Sequence, residues 1–137
     1  RIQEDVEIEM GEGNVLLVED EESLAGLGKL MIEQLGYTVE VHTSSLNALE
    51  SFKNSPQKFD VVMSDQTMPT LTGEGLARKL LELRSDLPII LCTGYSHTMT
   101  QEKAKAMGIQ AFLMKPLHMR EVATTLQDVL RNRQQHE

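Results

Sequence analysis

The sequence predicts an α/β fold: a flavodoxin-like (βα)5 doubly wound parallel sheet in strand order 2-1-3-4-5. Three observations carry that expectation. Short apolar runs alternate five times with stretches of helical apolar spacing, the signature of strand–helix repeats. The runs are continuous rather than alternating in polarity, as in Val15-Leu-Leu-Val18 and Val61-Val-Met63, which suits strands buried on both faces of a parallel sheet. Right-handed crossovers between parallel strands then leave few ways to order them.

The elements follow in chain order. Residues 1–13 are acidic and end in Gly11-Glu-Gly13, a linker composition, although Val6, Ile8 and Met10 alternate with acids as a stray edge strand would. Asn14–Val18 is the first strand. A helix from about Glu22 to Leu35 follows, with Leu24, Leu27, Met31 and Leu35 at helical spacing and Gly36 as its capping glycine. Glu21 and Glu22 favour its start through the helix dipole. Tyr37–His42 is the second strand. Leu46, Leu49 and Phe52 mark a second helix that stops before Pro56. The third strand runs through Val61, Val62 and Met63 to Ser64 and Asp65, and Pro69 and Gly73 break the connection onward. Leu76, Ala77, Leu80 and Leu81 mark the third helix, ended by Asp86-Leu-Pro88. Pro88–Cys92 is the fourth strand, closed by Thr93-Gly94. Thr98-Met-Thr-Gln101 reads as a capping box that opens a helix to about Met107, stopped by Gly108. Ile109–Met114 is the fifth strand, followed by Lys115-Pro116. Met119, Val122, Leu126, Val129 and Leu130 share one face of the last helix. The domain is expected over residues 14–132, with 1–13 a linker and 133–137 a polar tail.

Composition narrows the function. A chain of 137 residues supports one domain with a real core. A net charge of −8 argues against nucleic acid as a partner, because phosphate contacts need clustered Lys and Arg; it suits a cation-binding protein instead. The single Cys92 excludes an internal disulfide and fits a reducing, cytoplasmic setting. No apolar stretch is long enough to span a bilayer, so no direct membrane contact is expected. A first residue that is Arg1 rather than Met reads as a piece of a longer chain.

The chemistry gathers at the strand ends. The first strand ends in Glu19-Asp20, the third in Asp65, the fourth in Thr93 and the fifth in Lys115. A parallel sheet places all of these at one edge, where open α/β sheets bind their ligands. Two carboxylates about 4 Å apart repel by roughly 4 kcal/mol at an effective dielectric near 20. Three acids in one crevice therefore call for a cation beyond Lys115, and a partly hydrated Mg2+ held by one or two carboxylates meets that need.

These residues resemble the receiver domains of two-component response regulators. The resemblance covers about Asn14 to Asn132. It rests on Val18-Glu-Asp-Glu21, Asp65, Met68-Pro69 followed by Gly73, Thr93-Gly94 and Lys115-Pro116, in that order and each at or just after a strand end. The resemblance implies that Asp65 is the nucleophile that takes a phosphoryl group from a phosphohistidine. It implies that Asp20 binds Mg2+ directly and Glu19 directly or through water, with Asp65 and the backbone carbonyl of Thr67 completing the protein ligands. Lys115 would pair with Asp65 and then with a phosphoryl oxygen, and Thr93 Oγ and the Gly94 N–H would hold the other oxygens. Lys115-Pro116 is expected to be cis. Thr93 and Phe112 would form the switch, Phe112 standing where many members carry Tyr. The chain also carries Glu19-Asp20 where many members have two aspartates.

The resemblance extends to partners: a histidine kinase core, in the same or another chain, and a histidine phosphotransfer protein. A homodimer through the fourth helix, fifth strand and fifth helix is a further expectation. The acidic, glycine-ended segment before Asn14 resembles the tether of the C-terminal receiver in a hybrid sensor histidine kinase; a stand-alone regulator is the alternative. An aspartate-nucleophile phosphatase would need a second acid two residues after Asp65, where Thr67 stands. A flavin module would need phosphate-binding N–H donors after the first strand, where four acids stand. A degenerate receiver acting only as a scaffold would lack the active-site residue types that are all present here.

Overall fold

The computed structural model describes residues 8–94 and 101–135. Five strands alternate with five helices: β1 (Asn14–Val18), α1 (Glu22–Gln34), β2 (Thr38–His42), α2 (Ser45–Asn54), β3 (Val61–Asp65), α3 (Gly73–Leu83), β4 (Ile89–Thr93), α4 (Gln101–Ala106), β5 (Ala111–Met114) and α5 (Met119–Gln135). All strand pairs are parallel, in the order β2-β1-β3-β4-β5. This is the predicted topology. The boundaries move only slightly. The fifth strand begins at Ala111 rather than Ile109, because Ile109 N–H donates back to the Ala104 carbonyl in the turn that closes α4. Helix α5 continues through Gln135, into the segment read as tail. The capping box at 98–101 falls largely outside the described residues.

The apolar runs are buried on both faces because each strand divides its side chains between two cores. Leu16, Val18, Val62, Ile89 and Leu91 pack with Ala48, Phe52, Leu76 and Leu80 on the side of α2 and α3. Val15, Leu17, Val61, Met63, Ile90 and Cys92 pack with Ile32, Val122, Leu126 and Val129 on the side of α1 and α5. Burying each such large side chain contributes about 1.5–3 kcal/mol before chain entropy is set against it. Arg84, at the end of α3, is buried too. It donates to the Phe59 carbonyl at 2.6 Å and the Pro56 carbonyl at 3.0 Å, which ties α3 to the segment that leads into β3.

The helical faces correct the sequence reading in two places. Leu24 and Leu27, expected to face the core, are exposed at 37% and 56%. The inward side of α1 is Ala25, Gly28, Ile32 and Leu35. Small residues mark the packed face because α1 lies close on the sheet: a Cβ on Gly28 would sit 3.1 Å from Leu17 Cδ2. Leu46 is likewise exposed, and α2 turns Ser45, Ala48, Leu49 and Phe52 inward.

The ends of the domain are fastened as well. Residues 8–13 form no strand, so Ile8 and Met10 do not build the stray edge strand that their alternation suggested. Instead Gly11 N–H donates to the Leu35 carbonyl at 2.8 Å, and Gln127 Nε2 to the Met10 carbonyl at 2.7 Å. Gly36 closes α1 at φ 109°, and a Cβ there would lie 2.2 Å from the Gly11 carbonyl oxygen. On the edge strand, Glu40 accepts from Lys58 Nζ at 2.8 Å and from Ser51 Oγ, and also contacts His42 Nε2 at 2.8 Å.

The Lys58 and Ser51 donors lower the Glu40 carboxyl from 4.5 to about 2. A lowered carboxyl contributes stability above its unfolded value and loses it as pH falls toward the folded one. At pH 7 the wild type is therefore expected to exceed Glu40→Gln by about 1 kcal/mol, discounted for solvent screening. Urea titrations should show that margin shrink from pH 4.5 and vanish near pH 2.

Candidate functional site

The carboxyl ends of β1, β3, β4 and β5 meet at one edge of the sheet. Asp65 is the last residue of β3 and Glu19 follows β1, and both are buried at 7% exposure. Asp20 is exposed beside them. One ligand oxygen from each of these three acids lies within 4.8 Å of the others. Lys115, just beyond β5, reaches across the edge. Its Nζ donates to Glu19 Oε1 at 3.0 Å and to Asp65 Oδ1 at 3.2 Å. The Lys115–Pro116 peptide is cis, as the sequence resemblance implied.

Glu19 uses its longer side chain to serve two donors. Oε1 takes the Lys115 ammonium, and Oε2 accepts the Glu21 N–H at 3.1 Å. The sequence led us to expect Lys115 on Asp65; the structure gives the lysine to both acids.

Electrostatics reflect this crowding. Burial raises the Asp65 carboxyl above its ordinary value, the nearby Asp20 charge adds to the rise, and Lys115 and the Gln66 N–H oppose it. Burial raises Glu19 as well, assisted by Asp65 and opposed by the Glu21 N–H and Lys115. For Lys115 burial acts downward, but hydrogen bonds and charge from Glu19 and Asp65 outweigh it and raise the ammonium's pKa. One ammonium thus faces three acids, and the buried pair is left short of positive charge.

The remaining sequence-selected residues surround this cluster. Thr93 ends β4, one residue past Cys92, the register partner of Asp65. It is buried at 2%, and its Oγ1 lies 3.8 Å from Met114 Sδ. Gly94 follows, half-buried, with open space where a Cβ would project. Thr67 lies in the loop after β3 and is exposed. Phe112 pairs in register with Leu91 and is half-buried against the core on the α3 side. Tyr95, two residues after Thr93, lies outside the described residues.

One supporting residue was not singled out from the sequence. Gln66 is buried at 4%, and its Oε1 accepts the Glu74 N–H at 2.7 Å, while its carbonyl accepts the Gly73 N–H at 3.0 Å. It thereby ties the start of α3 to the residue after Asp65. The available signal was only a polar side chain next to a buried acid, which must find a partner when it is desolvated.

Comparison with known proteins agrees with this fold. Residues 15–127 match the family model described as the response regulator receiver domain. The chain is 33% identical over 120 residues to the sensor kinase CckA of Brucella abortus, covering 88% of this chain and 13% of that protein. It is 33% identical over 117 residues to the transcriptional regulatory protein CreB of Escherichia coli, covering 85% of this chain and 50% of that one. The chain thus spans half or less of the length of these curated relatives. Among solved structures, a receiver domain protein from Clostridium thermocellum superposes with a TM-score of 0.86 at 22% identity, covering 90% of this chain and 98% of its own, a likeness of fold.

Proposed function

This chain belongs to the response regulator receiver domain family of two-component signalling, and we propose that Asp65 is its phosphoacceptor, with Mg2+ held by the acids beside it. The observation that carries the assignment is the buried Asp65 carboxylate, paired with Lys115 and crowded by Glu19 and Asp20. The donor set fits the ion. It offers only hard oxygens, the exposed Asp20 leaves a face open to hydrated metal, and one lysine does not balance three acids. Asp20, Asp65 and the Thr67 carbonyl would hold it, with Glu19 directly or through water. When bound, Mg2+ supplies charge neutralisation that lets a phosphoryl group approach an acidic site.

The chain's own residues supply the rest by positioning and charge, as phosphoryl transfer requires. Asp65 Oδ attacks phosphorus, its P–O bond forming as the donor's bond to phosphorus breaks. Lys115 can follow the new charge because its ammonium already touches Asp65. Thr93 Oγ and the Gly94 N–H take the other phosphoryl oxygens, the open space at Gly94 leaving room for approach. Movement of Thr93 then shifts Phe112, and the face of α4, β5 and α5 reads out the change by a shift between two states. The same face would carry a homodimer.

The phosphodonor is a phosphohistidine on a histidine kinase core or a histidine phosphotransfer protein. The exposed Leu24 and Leu27 support this, because α1 starts next to Glu19 and Asp20, where a donor helix must lie for its histidine to reach Asp65. The likeness to CckA, named a sensor kinase, supports the reading that the domain sits within a hybrid sensor histidine kinase; the likeness to CreB keeps a separate regulator as the second reading. A cytoplasmic location follows from this role. Among the described residues no helix is long and apolar enough to cross a membrane.

The test is incubation with acetyl phosphate and Mg2+. Acid-labile phosphate should appear on the peptide that contains Asp65, and chelation of the metal should slow uptake by about 100-fold, the scale of several kcal/mol of charge stabilisation. Phosphate found only on another residue, or uptake that ignores the chelator, would refute the assignment.

A further inference from the structure

The end of β5 carries a thioether beside the site. Met114 stands in register with Thr93, so the two side chains share one face of the sheet at its carboxyl edge. Met114 is exposed at 45% while Thr93 is buried at 2%. The Thr93 hydroxyl donates to Met114 Sδ at 3.8 Å. A thioether is a weak acceptor, so this contact holds Thr93 lightly and lets it leave. Phe112 lies two residues earlier on the same face of the same strand, so Met114 borders both members of the switch.

Among the described residues, exposure narrows the candidates to two sulfurs, and this one touches Thr93. Of the described methionines, Met63 and Met68 are buried, and Met31, Met107 and Met119 are partly covered; Met10 and Met114 are the exposed pair. The Cys92 thiol, buried one residue from Thr93, is pushed by burial up to about 12, which leaves it protonated.

We propose that Met114 is an oxidation site, and that its sulfoxide clamps the Thr93 hydroxyl and so opposes phosphorylation of this domain. The proposal rests on the phosphoacceptor reading above. The oxidant is a peroxide. The sulfur attacks one peroxide oxygen, the S–O bond forms as the O–O bond breaks, the thioether loses two electrons, the other oxygen leaves as hydroxide, and that hydroxide takes the proton from the sulfur-bound oxygen to give sulfoxide and water. The sulfoxide oxygen is polar and a strong acceptor, where the thioether was apolar and weak. Thr93 would then have to break a full hydrogen bond to reach a phosphoryl oxygen. Reduction of the sulfoxide by a thiol-dependent reductase restores the thioether, so the device is reversible.

The experiment treats the protein with dilute hydrogen peroxide and locates the oxidation by peptide mass spectrometry. It then measures Asp65 phosphate after acetyl phosphate with Mg2+, and records the Thr93 methyl signal by NMR before any phosphodonor is added. Met114 should oxidise ahead of Met63 and Met68. The phosphate level should fall about threefold or more, the scale of one hydrogen bond gained. Methionine sulfoxide reductases should restore the level. The Thr93 signal should shift on oxidation in the wild type and in Met10→Leu, and not in Met114→Leu. The proposal is overturned if Met114→Leu loses as much phosphate on oxidation as the wild type, or if oxidised Met114 leaves both the Thr93 signal and the phosphate level unchanged. If untreated protein takes up no phosphate while the Thr93 signal still follows Met114 oxidation, the clamp stands and the phosphoacceptor reading fails.

Discussion

Replacing Asp65 with Asn is expected to abolish phosphate uptake and, at the same time, to make the unphosphorylated protein more stable. The first effect follows from chemistry. The reaction needs an anionic oxygen at the end of β3, and an amide of the same shape offers none. Glu19 is within the same cluster, but its two oxygens already serve Lys115 and the Glu21 N–H, so it is poorly placed to take over.

The second effect follows from the cost of burying that charge. Burial, then the Asp20 charge, raise the Asp65 carboxyl above 3.8 despite Lys115. In the window just above 3.8 the folded protein therefore holds more protons than the unfolded chain, and stability falls as pH rises through it. Above the folded value the full cost is present. Asn removes it, and Lys115 keeps Glu19 as a partner. The expected gain at pH 7 is on the order of 1 kcal/mol, fading below pH 3.8 where Asp65 is protonated in both states. Parallel urea titrations of the two proteins in metal-free buffer measure it. An Asp65→Asn protein that is less stable than wild type at pH 7, or that still gains acid-labile phosphate at the wild-type level, contradicts this account.

Gly73→Val is expected to damage fold and site together. Gly73 opens α3, and a Cβ there would lie 2.3 Å from the Asp65 carbonyl oxygen, 2.8 Å from Leu91 Cδ1 and 2.9 Å from Gln66 Cα. Two of these neighbours are backbone, so the clash cannot be relieved by rotating a side chain. The start of α3 must move outward. That strains both hydrogen bonds to Gln66, from the Gly73 and Glu74 N–H groups, and disturbs the strand end that presents Asp65. Overpacking of this kind costs about 3 kcal/mol. Thermal unfolding should drop by roughly 10 °C. Phosphate uptake measured well below that transition should also fall, because the defect lies at the residue that carries the chemistry. A variant that melts and phosphorylates like wild type would show that α3 can shift without cost to Asp65.

The sequence by itself determined the order of elements and the set of residues at the carboxyl edge, and the crossover rule narrowed the strand order to a few, the observed one among them. Those features are written in local patterns: continuous apolar runs, breaks at Gly and Pro, and acids or lysine where each run stops. It misjudged faces. Leu24, Leu27 and Leu46 read as core because hydrophobicity was weighed without regard to size, whereas close packing on a sheet prefers Ala25, Gly28 and Ala48. Only the tertiary structure decided that Lys115 divides itself between Glu19 and Asp65, that Gln66 ties α3 to the strand end, and that Met114 touches Thr93. Each of these is a contact between residues on different elements, set by side-chain length and strand register. Spacing along the chain carries no record of such distances, because they arise only once the sheet has aligned its strands.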